Sequence, residues 1–202
     1  MTKYILNSGG IRNSSDKGQK FFHEMVSGLG KTPKVLICTF ALLREDWEIK
    51  FNEDKAAANS IFGTDVQPIF ELAFPHTFEK QIAQTNAIYF HGGDDHLVQY
   101  WLKQFDVPRI WDGKVIATNS ASSHALSESF WTCDWRQCMD GLGILPIKFL
   151  AHYRSAYGND DSRGPIDWNQ AYSSLQEYGD QGLPIYALEE GEYKVLERQT
   201  NP

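Results

Sequence analysis

The stretch "KVIATNSASSHALSE", residues 114–128, changes character at its middle. Val115, Ile116 and Ala117 read as a short buried strand, and Ala121, Ala125 and Leu126 as the inner face of a helix. Between them sit the small polar residues Thr118, Asn119, Ser120, Ser122 and Ser123, and then His124. A buried strand that runs straight into a helix sets the junction residue on the rim of a sheet, and Ser120 there has two readings. Serine is an ordinary helix N-cap, because its oxygen accepts from the first free amides of the helix. It is also the nucleophile of a strand–turn–helix elbow, where a tight turn demands small neighbours and holds the hydroxyl above the sheet. Choosing between them requires a base, an acid that orients it and an oxyanion site elsewhere in the chain.

Outward from this junction the chain alternates strand-like and helix-like runs. "KYILNS" (3–8), "KVLICTFA" (34–41), "VQPIFELA" (66–73), "AIYFHG" (87–92) and "KVIATNS" (114–120) are each followed by a helical pattern. The strands are continuous apolar runs, as expected where helices cover both faces of a parallel sheet. Successive β–α units of this kind predict an α/β fold, a doubly wound, mostly parallel sheet flanked by helices. After residue 140 the rhythm changes: "GLGILPIKFLAHY" is strand-like, "DWNQAYSSLQEYG" is helical, and "PIYALEEGEYKVLE" reads as a C-terminal β-hairpin turning at Glu190-Gly191. With no repeat, low-complexity tract or linker, the expectation is one domain over 1–202.

The chain has 202 residues, 42% hydrophobic and 22% charged, which suits a globular protein with a proper core. Its net charge of −7 and the lack of a Lys/Arg cluster argue against nucleic acid as the main partner. No run reaches a membrane span, and "MTKYILNSGG" lacks the apolar core of a signal peptide, so the expected location is cytoplasmic with no membrane partner. Cys38, Cys133 and Cys138 form no CxxC, and with His124 and His152 they match no usual zinc spacing. The expected state is a monomer or homodimer with no metal or organic cofactor.

Sites in open α/β sheets form at the carboxyl ends of the strands. The fourth strand ends "HGGDDHL" (91–97), where Gly92 and Gly93 let backbone amides approach a ligand, or else make a tight turn capped by Asp94 or Asp95. The strand within "GILPIKFLAHY" ends at His152, which can reach the same rim as Ser120, and Asp134 lies between them in sequence. The order Ser, Asp, His is one of several that reach the same catalytic geometry. His23, His76, His91, His96 and His124 lack this strand-end placement.

These residues resemble those of the dipeptidase E / cyanophycinase family of serine peptidases, which have a class I glutamine amidotransferase-like fold. The likeness runs through "YILNSGG", "VLICTFA", "IYFHGGDDHLVQYW", "VIATNSASSHALSE" and "GLGILPIKFLAHY". "HGGD" at 91–94 resembles the family's glycine-rich turn, with His91 in place of its first glycine, and "TNSAS" at 118–122 resembles its G-x-S-A-G elbow. The resemblance implies Ser120 as nucleophile, His152 as base and Asp134 as the orienting acid. It further implies Gly92, Gly93 and Ala121 as oxyanion donors, with Asp94 at the substrate edge and Arg163 of "DDSRG" holding the acidic side chain of an N-terminal aspartate. Thr118 and Ser122 stand where the family elbow has glycines, and bulk there is unfavourable in a strained turn.

The expected function is therefore a serine dipeptidase acting on short peptides that begin with an acidic residue. Its rivals are a hydrolase of another amide or acyl substrate on the same scaffold, and a module with an impaired elbow that binds a small anion or a partner.

Overall fold

The computed structural model describes residues 1–16 and 18–199. The elements in chain order are β1 (Thr2–Asn7), α1 (Gln19–Val26), β2 (Lys34–Cys38), α2 (Trp47–Asn59), β3 (Ile69–Leu72), α3 (Phe78–Gln84), β4 (Ala87–Phe90) and α4 (Asp95–Leu102). They continue as β5 (Val115–Asn119), α5 (Ala121–Leu126), β6 (Ser127–Thr132), β7 (Gln137–Asp140), β8 (Leu145–Leu150), α6 (Trp168–Glu177), β9 (Ile185–Ala187) and β10 (Tyr193–Arg198). Two sheets result. The larger has the order β10-β1-β5-β4-β2-β3, and the smaller β7-β6-β8-β9. Every neighbouring pair is parallel except β1 with β10 and β6 with β7. The fold is α/β with mostly parallel sheets flanked by helices.

The continuous apolar strands follow from burial on both faces. Along β1, Tyr4 and Leu6 enter one core while Ile5 enters the other. Along β5, Ile116 joins the first core, and Val115 and Ala117 the second. The second core is closed by Phe21, Phe22, Met25 and Val26 of α1. The first extends through Ala125 and Leu126 of α5 to Phe130 and Phe149, and so joins the two sheets. On the far face of the small sheet, Trp131 and Leu150 pack with Ala171 and Leu175 of α6.

The segment 184–197 corrects the hairpin reading. β9 pairs in parallel with β8 of the small sheet, whereas β10 pairs antiparallel with β1 of the large one. Glu190 and Gly191 thus lie on a crossing between sheets. Two strand-like runs around a glycine look like a hairpin in sequence, and nothing local distinguishes pairing with each other from pairing with distant partners. The "FWTCDWRQCMD" region, in turn, holds a true antiparallel pair, β6 with β7.

No helix among the described residues is long and apolar enough to cross a membrane.

One buried cation ties β8 to α6. Lys148 is 1% exposed. Its ammonium donates to the carbonyls of Leu175, Gln176 and Tyr178 at the helix C-terminus, where unpaired carbonyls gather negative charge. Lys148→Met keeps the packed stem but strands those acceptors. Urea denaturation should report a loss of about 2–3 kcal/mol, and an unchanged midpoint would contradict this role.

Candidate active site

The ends of β1, β4 and β5 finish almost level. Thr118 pairs with both Leu6 and Phe90, and Asn7 pairs with Asn119. Ser8-Gly9, His91-Gly92 and Ser120 therefore meet on one edge. Ser120 has φ 49° and ψ −115°, outside the favourable regions for an L-residue, and its side chain makes no cap bond to α5. That separates the two readings of the junction: the backbone is the strained turn of an elbow, not the extended one of an N-cap.

The hydroxyl instead meets His152, whose Nε2 lies 2.9 Å from Ser120 Oγ. His152 also has a positive φ, 56°. Its backbone N–H donates to Ser8 Oγ at 2.6 Å, and Ser8 in turn donates to the Leu188 carbonyl at 2.7 Å. The other ring nitrogen, Nδ1, lies 3.1 Å from Glu190 Oε1. With Nδ1–H donating to Glu190, Nε2 presents its lone pair to the serine hydroxyl. Glu190 is held from behind by Asn13, whose amide donates to Oε2 at 3.2 Å.

Asp134 does not meet the imidazole. Its Oδ1 accepts from the Tyr157 hydroxyl at 3.1 Å, and the Tyr157 ring stacks on His152 with centroids 4.0 Å apart. The expected orienting acid thus touches the site through a tyrosine, and the carboxylate on the ring comes from the crossing at 188–192. Burial pushes the His152 pKa down, the hydrogen bond and charge of Glu190 pull it back, and the net lies below the ordinary value.

Two glycines make the close approach possible. A Cβ on Gly9 would lie 2.2 Å from His152 Cε1, and one on Gly10 would lie 2.8 Å from Glu190 Oε2. On the other side of the serine, a Cβ on Gly92 would sit 3.2 Å from Ser120 Cβ, and one on Gly93 would strike the Ala41 carbonyl at 2.4 Å. Among the described residues, no protein group accepts from the amides of Gly92, Gly93 or Ala121.

The hydroxyls of Thr118 and Ser122, which stand where the elbow was expected to want glycine, both have partners. Thr118 is buried in the sheet with Oγ1 2.8 Å from Ser123 Oγ, and Ser123 donates to the Asn7 carbonyl at 2.8 Å. Ser122 donates to the His91 carbonyl at 2.6 Å, tying the elbow to the end of β4. His124 is buried, stacked on Phe130 with centroids 4.5 Å apart, and its Nδ1 lies 2.8 Å from Asp95 Oδ1. Burial alone would raise the Asp95 pKa, but the imidazole of His124 beside it holds it below the usual carboxylate value. This pair braces the strand end, since His124 Nε2 accepts from the Ala151 amide at 3.4 Å.

The remaining expected residues do other work here. Asp94 caps α4, accepting from the amides of His96 and Leu97 at 2.8 Å each. Arg163 closes its fork on Asp161 and donates to the Asp134 carbonyl at 2.8 Å.

No protein-family model matches the sequence, and no curated protein matches it. Solved structures do. One neighbour, a protein assigned as a peptidase E from Listeria monocytogenes EGD-e, superposes with a TM-score of 0.66 at 16% identity, covering 100% of both chains. A second, a peptidase from an acI-B1 actinobacterium, gives 0.64 at 18% identity over 97% of this chain and 83% of the other. The chain has the peptidase E fold. At these identities the likeness speaks for the fold alone, and the chemistry of the rim rests on its own geometry.

The pH dependence of turnover separates the two acids. With His152 as the base of the reaction proposed below, the neutral ring is the active form and the acid limb of kcat/KM should follow its pKa. Glu190→Gln removes the carboxylate whose hydrogen bond and charge do most to raise this pKa, and favours the wrong tautomer. Turnover should fall about 10³- to 10⁴-fold, with the residual acid limb at lower pH. Tyr157→Ala opens the ring to water, relieves the burial that lowers the pKa, and should move the limb to higher pH. Asp134→Asn should cost far less than Glu190→Gln, and equal losses would return the orienting role to Asp134.

Proposed function

We propose that this chain is a serine peptidase that hydrolyses short peptides. One observation carries the reading: a hydroxyl, an imidazole and a carboxylate linked at 2.9 and 3.1 Å on an elbow serine, a strand-end histidine and a sheet-crossing glutamate. In this reading Ser120 Oγ attacks the scissile carbonyl as His152 Nε2 takes its proton. His152 returns that proton to the leaving amine. Glu190 keeps Nδ1 protonated and stabilises the imidazolium, the part expected of Asp134. The amides of Gly92, Gly93 and Ala121 receive the oxyanion, each such donor contributing about 3 kcal/mol to the transition state. Water then attacks the acyl-enzyme by the same route in reverse. No step calls for a metal or organic cofactor.

The finer preference, for peptides that begin with aspartate, belongs to the same proposal and comes from the family resemblance. As placed, Arg163 would have to leave Asp161 before its fork could take a substrate carboxylate.

A fluorophosphonate tests the proposal. It should label wild-type protein stoichiometrically at Ser120, and Ser120→Ala should lose labelling together with at least ~10³-fold of peptide turnover. Circular dichroism of that variant should match the wild type. Full turnover in Ser120→Ala would remove the nucleophile and the proposal with it.

A further inference from the structure

A cavity of about 240 Å³ opens beside the elbow, and the serine–histidine–glutamate chain does not use it. Gly10, His91 and Asn119, which continue or end β1, β4 and β5, line it together with Phe22, Tyr89 and residues of α2. It therefore lies on the same rim as Ser120, on the face covered by α1 and α2.

Its charges are unevenly committed. The Asp54 side chain on α2 is only 8% exposed, and both its oxygens are engaged: Oδ2 lies 2.7 Å from His91 Nδ1 and Oδ1 lies 3.6 Å from Arg12. Lys50, at the mouth, is paired with Glu53 at 2.6 Å. Arg12 differs. Its side chain is 55% exposed, and among the described residues its one ion pair is that long contact to Asp54 and it makes no hydrogen bond. The guanidinium fork is free to turn onto a carboxylate, which it matches with two parallel donors. In a chain of net charge −7, an anionic substrate needs such a local cation. Arg163 does not offer the same freedom, because its fork is already closed on Asp161.

We infer that this cavity is the subsite that holds a carboxylate of the peptide substrate, with Arg12 as the binding cation. The buried His91–Asp54 pair forms its back wall and sets the resting position of Arg12. The inference rests on the serine-peptidase reading for the identity of the ligand as a peptide. The carboxylate is either the acidic side chain of the first residue or the chain-terminal group.

Calorimetric titration of Ser120→Ala and of Ser120→Ala/Arg12→Gln tests it without turnover. The probes are aspartyl-leucine amide, which carries only the side-chain carboxylate, leucyl-leucine, which carries only the terminal one, and leucyl-leucine amide, which carries neither. At least one carboxylate peptide should bind Ser120→Ala and lose about 10- to 100-fold in affinity with Arg12→Gln. Binding of leucyl-leucine amide should not respond to Arg12. A response from aspartyl-leucine amide alone assigns the side chain, and one from leucyl-leucine alone assigns the terminus. Equal changes for all probes, no change for any, or no binding of either carboxylate peptide would overturn the subsite. Fluorophosphonate labelling of the wild type keeps the two readings apart. Labelled protein without Arg12 dependence loses only the subsite, and unlabelled protein with Arg12-dependent binding keeps the subsite and loses the peptidase.

Discussion

The rim is organised by how closely the end of β1 passes the His152 ring. With a side chain at Gly9 starting 2.2 Å from the imidazole, any residue but glycine would displace the ring from Ser120. The same short segment ties the two sheets together. Asn7 Nδ2 donates to the Glu192 carbonyl at 3.1 Å, Gly191 N–H donates to the Gly9 carbonyl at 2.7 Å, and Ser8 bridges His152 and Leu188. The large sheet supplies Ser120 and the small sheet supplies His152. The strand crossing between them supplies the carboxylate. A shift of about 1 Å between these parts would be enough to break such a hydrogen-bonded chain, so packing between the sheets is part of the chemistry.

Much of this was legible in sequence because it is written locally. The apolar runs with helices between them gave the parallel strands, and small residues around Ser120 gave the elbow. The strand that ends at His152 follows from "GILPIKFLAH". Glu190 was not legible. Its neighbours look like a hairpin turn, and its role depends on β9 and β10 pairing with strands that lie far from each other in the chain. Asp134 was attractive for its position after the helix that follows Ser120, but it follows β6 on the small sheet, and Tyr157, not the imidazole, is its hydrogen-bond partner. The one available hint was "SGG" at 8–10, since paired glycines at a strand end mark a place where something must come close.

The electrostatics of the rim favour the neutral form of the His152 ring. Burial under Tyr157 lowers the affinity of His152 for a proton, and Glu190 limits the fall while fixing the tautomer. Burial and the neighbouring Asp134 push the Tyr157 phenol upward, so it remains a donor to that carboxylate and a neutral cover over the ring. Nearby, the carboxylate of Asp54 is turned into the protein by His91, which leaves Arg12 as the exposed charge at the cavity mouth. An acidic protein thereby keeps an imidazole and an exposed arginine on one edge.

The hydrogen bonds through His152 have a direction that can be measured: Nδ1–H toward Glu190 and a bare Nε2 toward Ser120. Nitrogen-15 NMR of the ring, with His152 assigned through its loss in His152→Gln, reads this directly. At a pH where the ring is neutral, Nδ1 should be protonated, with a strongly deshielded, slowly exchanging proton, and Nε2 unprotonated. In Glu190→Gln that proton signal should disappear. A ring protonated at Nε2 in the wild type, or an Nδ1 proton that is unmoved in Glu190→Gln and lost in Asp134→Asn, would contradict it.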